Sequence, residues 1–391
     1  MLSAIRRARK SLARLLLVVP ALILAACVPG DGPATGAGPG VSSGEPVQVA
    51  LLVPGGSGQA SDALLAKSLE SAARLAMADL NGVTIDLRVY QTGGNPAQAQ
   101  AMATQAMDEG AQIILGPVFA QEANAAGVAA AARGISVLAF SNNTEIAGGN
   151  VFVLGPTFEN TANRLAGYAV RQGKNRIMIV HDKNTAGELG KTAIQKGVAG
   201  AGGSIVAVAS YEFSQSGVTG AAPGIVKTAR DTGATALFLT ADTAGALPLL
   251  SQALVDNGVD KATTKFLGLT RWDIPTATLA LPGVQGGWFA MPDPALFAQF
   301  QSRYQSAYGE TPHPIAGLAY DGIAAIGALA RSGKDLGPRG LTQGAGFVGV
   351  TGIFRLRSDG SNERGLAVAE IRDSRVIVID PAPRSFAGAG L

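Results

Sequence analysis

From Val47 onward the chain alternates short apolar runs of strand length with segments whose apolar residues recur at helical spacing. No other feature restricts the possible folds as much. "VQVALLV" (47–53) is almost continuously apolar, the pattern of a strand covered on both faces. After a Gly/Ser turn, Leu65, Leu69, Ala72, Ala73, Ala76 and Leu80 share one helical face, and Asn81-Gly82 supplies a stop. "VTIDLRVY" (83–90) alternates instead, as an edge or half-covered strand does. The units then repeat. Helices are expected near 96–109, 121–132, 159–172, 187–200, 219–232 and 246–257, separated by strands such as "QIILGPV", "ISVLAFS", "RIMIVHD", "SIVAVASYE", "ALFLTA" and "TKFLGLT". Such β-α repetition specifies an α/β fold of parallel sheets with helices on both faces, and about 340 residues suffice for two lobes.

The end of the chain breaks this rhythm. "GGWFAMP" (286–292) reads as a strand, helices are expected near 295–308 and 315–332, and "GIFRLRSDGSNERGLAVAEIRDSRVIVID" reads as consecutive hairpins. Late helices suited to the first sheet, followed by strands left for the second, require the chain to cross between lobes more than once.

The amino terminus belongs to neither lobe. Arg6, Arg7, Arg9, Lys10 and Arg14 precede an apolar stretch from Leu15 to Cys27 that is too short to span a bilayer and ends in small residues, the layout of a secretory signal over 1–26. Cys27 is the chain's single cysteine and has no partner for an intramolecular disulfide. Residues 27–46 are dense in glycine and proline and read as a tether, with a reach on the order of 25 Å. The signal carries five of the 31 basic residues and no acidic one, so the remainder has 26 basic against 28 acidic side chains, a net of −2. The footprint of a nucleic-acid binder is therefore missing.

Several motifs fail on inspection. "HDKNTAGELGKT" (181–192) has Thr185 where a phosphate loop needs glycine. "GAGGSI" leads from helix to strand, the reverse of a dinucleotide fingerprint. Two histidines, His181 and His313, with one cysteine are too few for a nitrogen/sulfur metal site. No nucleophile is paired with a base, so no cofactor, no metal and no enzymatic activity are expected.

Binding is the simpler inference, and in open α/β sheets it occurs beyond the carboxyl ends of the strands. The residues there include Ser57, Gln121, Ser141, Asn142, Asn143, Thr185, Asp242, Thr270 and Arg271. Small hydroxyl and amide groups predominate, which suits a small polar ligand; the same residue types also fill ordinary turns.

Leu24-Ala25-Ala26-Cys27 resembles the lipobox of bacterial lipoproteins, which implies that Cys27 is lipidated and anchors the domain to a membrane outside the cytoplasm; the alternative is a secreted chain with an incidental cysteine. "VALLVPGGSGQASDALLAKSLESAARLAMADLNG", "IILGPVFAQEANAAGVAAAARGISVLAFSNN", "NRIMIVHDKNTAGELGKTAIQKGVAGAGGSIVAVASYEF" and "YQSAYGETPHPIAGLAYDGIAAIGALA" together resemble type I periplasmic binding proteins of the leucine/isoleucine/valine-binding family. That resemblance implies two Rossmann-like lobes, a three-crossover hinge and a ligand held between the lobes. The crossovers are expected near residues 155, 286 and 345, giving lobe 1 as 47–155 plus 287–345 and lobe 2 as 156–286 plus 346–385. It further implies a monomer that serves an ABC importer permease.

The family's amino-acid site carries over with departures. Ala120 stands where the family has a serine, Ser141, Asn142 and Asn143 replace its alanine-alanine-threonine segment, and Ala186 replaces a tyrosine. The acidic partner of the ligand's ammonium falls near Thr270, beside Arg271. A neutral or anionic ligand is therefore expected over a free amino acid. "LLVPGGSGQA", "YQTGGNPAQAQAMATQAMDEGAQIILGPVFAQE" and "ISVLAFSNN" are also similar to lipoprotein activators of penicillin-binding proteins, which implies a peptidoglycan synthase as the alternative partner. Val28 after the cysteine is compatible with sorting to the outer rather than the inner membrane. Lipid labelling in a bacterial host tests the anchor: wild type should incorporate fatty acid, and Cys27→Ser should lose all label and be released into the soluble fraction.

Overall fold

The computed structural model describes residues 45–386. The expected signal segment, the expected lipidation site Cys27 and all but the end of the expected tether lie outside the described residues.

The first lobe opens with strand β1 (Val47–Val53), helix α1 (Ala60–Ala78), β2 (Ile85–Gln91), α2 (Pro96–Asp108), β3 (Ile113–Leu115), α3 (Ala120–Ala131), β4 (Val137–Ala139) and β5 (Val151–Val153). The five strands are all parallel, in the order β2-β1-β3-β4-β5. Pleating sends Val47, Val49, Leu51 and Val53 to one face, where they pack with Leu65, Leu69, Ala72, Ala73 and Ala76 of α1. Ala50 and Leu52 point the other way, into a core shared with α2 and α3. This two-sided cover is why β1 is apolar at every position but Gln48, while β2, at the sheet edge, alternates.

The second lobe contains α4 (Phe158–Arg171), β6 (Arg176–Asp182), α5 (Thr185–Gly200), β7 (Ser204–Tyr211), α6 (Gln215–Asp231), β8 (Ala236–Leu239), α7 (Leu247–Asp256), β9 (Lys265–Gly268) and β10 (Trp288–Met291). Helices α8 (Pro294–Tyr308), α9 (Gly317–Arg331) and α10 (Pro338–Leu341) follow, then β11 (Phe347–Gly349), β12 (Gly352–Leu356), β13 (Asn362–Arg364), β14 (Ala367–Arg372) and β15 (Arg375–Asp380). The second sheet runs β15-β14-β10-β9-β8-β6-β7, with the last two strands of the chain antiparallel. Strands β11 to β13 form a separate small antiparallel sheet. Among the described residues no helix is long and apolar enough to cross a membrane.

Two of the expected crossovers need correction. The strand at 288–291 is not the start of a return to lobe 1: Trp288 and Phe289 pair with Leu267 and Gly268 of β9, and all four residues pair with β14. Both its faces are buried in the second lobe, so the chain leaves only after Met291. Phe300 and Tyr304 of α8 then enter the first-lobe core. The third crossing comes after Arg364 rather than near residue 345, because Phe347, Val350, Phe354 and Leu356 pack into the first-lobe core. The chain first crosses between Val153 and Phe158.

One buried cluster joins these crossings. Arg364 donates from Nε to the Leu154 carbonyl at 2.9 Å and from Nη1 to Thr351 Oγ1 at 2.7 Å, and Nη1 lies 3.4 Å from Asp321 Oδ2. Asp321 of α9 accepts the Val350 N–H at 2.8 Å and the Thr351 hydroxyl. Asn362 donates to the carbonyls of Val153 and Gly155 at 2.7 and 2.8 Å, while its own carbonyl accepts from Asn160 at 3.0 Å. Thr157 and Asn160 close a reciprocal capping box that starts α4. Asp321 and Arg364 are 0% and 5% exposed, and leaving either charge buried alone costs about 3–5 kcal/mol. Arg364→Met is therefore expected to lower unfolding free energy by about that amount in urea titrations, whereas Arg357→Met, at an exposed ion pair, changes it by under about 1 kcal/mol.

Candidate functional site

A cavity of about 250 Å³ lies beside the crossovers, with walls from both lobes. The first lobe contributes Asn142 after β4, with Phe297, Ile315 and Leu318 from the α8–α9 region. The second contributes Phe158 and Thr161 of α4, and Thr270, Arg271 and Ile274 after β9. Met291, Pro292, Arg364 and Leu366 line it where the chain changes lobes. Most of these side chains are apolar, and a few polar groups converge on the space, the composition of a small-molecule site.

The segment carrying Thr270 and Arg271 is held by the residue after it. Trp272 is fully buried, and its indole lies against two glycines: a Cβ on either Gly268 or Gly287 would stand 2.3 Å from the ring. No side chain fits there, so β9 and the turn before β10 close on the indole and fix the backbone between them. Arg271 is consequently aimed at Asp273, with Nε donating to Oδ1 at 2.6 Å and Nη2 to Oδ2 at 2.5 Å. This bidentate pairing is strong and geometrically specific. The Thr270 hydroxyl is buried without a hydrogen-bond partner.

Of the residues expected from sequence, Asn142, Thr270 and Arg271 come together around this cavity. The others stand on the strand-end loops without lining it. Ser57 donates to Asp62 Oδ2 at 2.7 Å and accepts the Gln59 N–H at 3.1 Å, bracing the entry to α1. Ala120 and Gln121 open α3, and Thr185 and Ala186 open α5 behind the Asn184 cap. Ser141 accepts the Asn143 N–H at 3.1 Å, and Asn143 accepts the Glu145 N–H at 2.9 Å. Asp242 accepts the Gly245 N–H at 2.5 Å. Ser57, Ser141, Asn143 and Asp242 therefore have local structural roles that stand independently of any ligand.

Sequence reasoning missed the contributions of α4, the α8–α9 region and the crossovers, because the strand-end rule points only at loops. It also passed over Asp273, two residues beyond a residue it named. Asp273 follows Arg271 on the same loop, a local acid–base pair that could have been read as such. Among the described residues no group of three His, Cys, Asp or Glu side chains could hold a metal ion.

A family model described as periplasmic binding protein matches residues 46–375. No curated protein matches the chain. Among solved structures, a putative branched-chain amino acid ABC transporter protein from Rhodospirillum rubrum superposes with a TM-score of 0.70 at 18% identity, covering 86% of this chain and 100% of that one. An ABC transporter substrate-binding protein from Desulfitobacterium hafniense, in complex with leucine, gives 0.63 at 18% identity over 86% and 100%. A solute-binding protein from R. palustris in complex with benzoate gives 0.57 at 18% identity over 87% and 97%. Such distant likenesses speak to the fold.

Beneath the loops of the first lobe, Glu122 in the first turn of α3 is wholly buried, and neither carboxylate oxygen has a hydrogen-bond partner. Burial pushes its carboxyl above the ordinary value of 4.5, and the Asp62 charge adds to the shift. Because the folded protein holds this proton more tightly than the unfolded chain, the associated stability is complete below pH 4.5 and is lost as pH rises through the folded value. Glu122→Gln should melt higher than wild type at pH 7, with the gap closing toward pH 4 in thermal scans; a gap independent of pH would contradict this.

Proposed function

Since this chain belongs to the periplasmic binding protein family, we propose that it is an extracytoplasmic receptor whose two lobes close on a small molecule and deliver it to an ABC-type importer. The observation that carries this reading is the 250 Å³ cavity beside the crossovers, whose walls come from both lobes. Asn142, Thr270 and Arg271 orient the polar end of the ligand there, and the apolar side chains hold its body. Rotation about the three crossings brings Ser57, Ala120, Gln121, Ser141 and Asn143 of one lobe toward Thr185, Ala186 and Asp242 of the other. Lipidated Cys27 keeps the receptor at a membrane surface in the periplasm. Binding without turnover is the assigned role.

A second reading, activation of a peptidoglycan synthase, is favoured by the way Arg271 is occupied. Its guanidinium is committed to Asp273, and with Ala120 and Ala186 in place of the expected polar groups, the amino-acid grip is largely rewritten. In that role the cleft would be dispensable.

Thermal-shift measurements with amino acids, amides, short peptides and muropeptides separate the two. A ligand present at a hundred times its dissociation constant stabilises the native state by about 2.7 kcal/mol, so a true ligand should raise Tm by several degrees and Asn142→Ala should diminish the rise. No rise with any compound, together with stimulation of a purified synthase that survives Asn142→Ala, would transfer the assignment to the second reading.

A further inference from the structure

We propose that Asp273 is the specificity-determining residue of the interlobe cavity, and that it restricts the site to ligands with no net charge. The inference rests on the receptor reading above and narrows the class of molecule that the site accepts.

The charged side chains lining the cavity are Arg271 and Arg364. On their own they would present two positive charges to a space that is otherwise mostly apolar, a setting for an organic anion. Both are cancelled from within the protein. Arg364 is buried against Asp321, with Nη1 3.4 Å from Oδ2, and spends its remaining donors on the Leu154 carbonyl and Thr351 Oγ1. Arg271 is engaged by Asp273 through two parallel hydrogen bonds at 2.6 and 2.5 Å, the geometry in which a ligand carboxylate would hold a guanidinium.

The two pairs differ in what can be changed. Asp321 and Arg364 are locked in the crossover cluster, with side chains 0% and 3% exposed. Arg271 and Asp273 are 29% and 12% exposed at the cavity's side, and they lie on one short loop. An anion entering the cavity would meet a guanidinium whose charge Asp273 already neutralises, and its own charge would lie close to that partly desolvated carboxylate, which is unfavourable. A cation would meet a paired guanidinium and gain nothing. A neutral ligand breaks no pair, and it has the unpartnered Thr270 hydroxyl and the exposed Asn142 amide to orient its polar end. The volume suits a single ring or branched chain, since a dry cavity of about 150 Å³ already admits benzene. The ligand class assigned is thus a small molecule with an apolar body and one neutral hydrogen-bonding group, such as a primary amide.

Benzamide and benzoate differ in little but charge, and titration calorimetry at pH 7.5 with this pair tests the assignment. Wild type should bind benzamide at least tenfold more tightly than benzoate. Asp273→Asn should reverse the preference by releasing Arg271 to the carboxylate, and Arg271→Gln/Asp273→Asn should lose the benzoate binding so gained. Circular dichroism checks that each variant is folded, and the wild-type comparison decides if a variant is not. Equal or tighter benzoate binding by wild type, or an unchanged preference in folded Asp273→Asn, overturns the role of Asp273 and leaves the receptor reading standing. If neither compound binds wild type or folded variants, the cavity is not a site for such molecules and the assignment fails with it.

Discussion

The buried pairing of Asp321 with Arg364 is the constraint on which the two-lobe arrangement turns. Three separate crossings of the chain meet around it: the Leu154 carbonyl belongs to the first, the Thr351 backbone accepts from Asp293 of the second, and Arg364 itself opens the third. A charge pair in this position is a poor source of net stability, because desolvation offsets most of its attraction. What it provides is directional: five donors in a fixed plane can tie together carbonyl and hydroxyl groups from distant parts of the sequence, which apolar packing cannot do. The lobes can then differ in content and still share one joint.

The candidate cavity is built against that joint. Arg364 and Thr351 belong both to the crossover cluster and to the cavity wall, and Thr157, which lines the cavity, closes the cap that starts α4. In the proposed receptor a molecule in the cavity touches the crossings themselves, so binding and closure would be coupled at short range. The loops at Ser57, at Ser141 to Asn143 and at Asp242, which the strand-end rule singles out, are already stabilised by their own hydrogen bonds.

The layered α/β architecture was legible because β1, β6 and their neighbours are apolar on both faces while β2 alternates, and these patterns follow from cover alone. Assignment of later segments to lobes was not legible to the same degree. "GGWFAMP" is as suitable a strand for either sheet, and only pairing with β9 and β14 decides it. The hairpin carrying Phe347 and Phe354 likewise has a readable turn but no local mark of which core will receive its aromatics. At the site, Asn142, Thr270 and Arg271 followed from their place after strands. Phe158, Phe297 and Leu318 did not, since they are ordinary helix residues until the crossings bring them together. Whether Arg271 is free or neutralised depends on a rotamer and a backbone held by Trp272 between two glycines, which no linear pattern encodes.

The sharing of Arg364 between joint and cavity has a practical consequence for mapping by mutation. Alanine scanning reports whatever weakens binding, and Asp321, which no ligand in the cavity reaches directly, would register as strongly as a wall residue because its loss strands the arginine beside it. Residues that shape the pocket and residues that aim the lobes would then be scored as one epitope. Only kinetics that separate capture from closure would tell them apart.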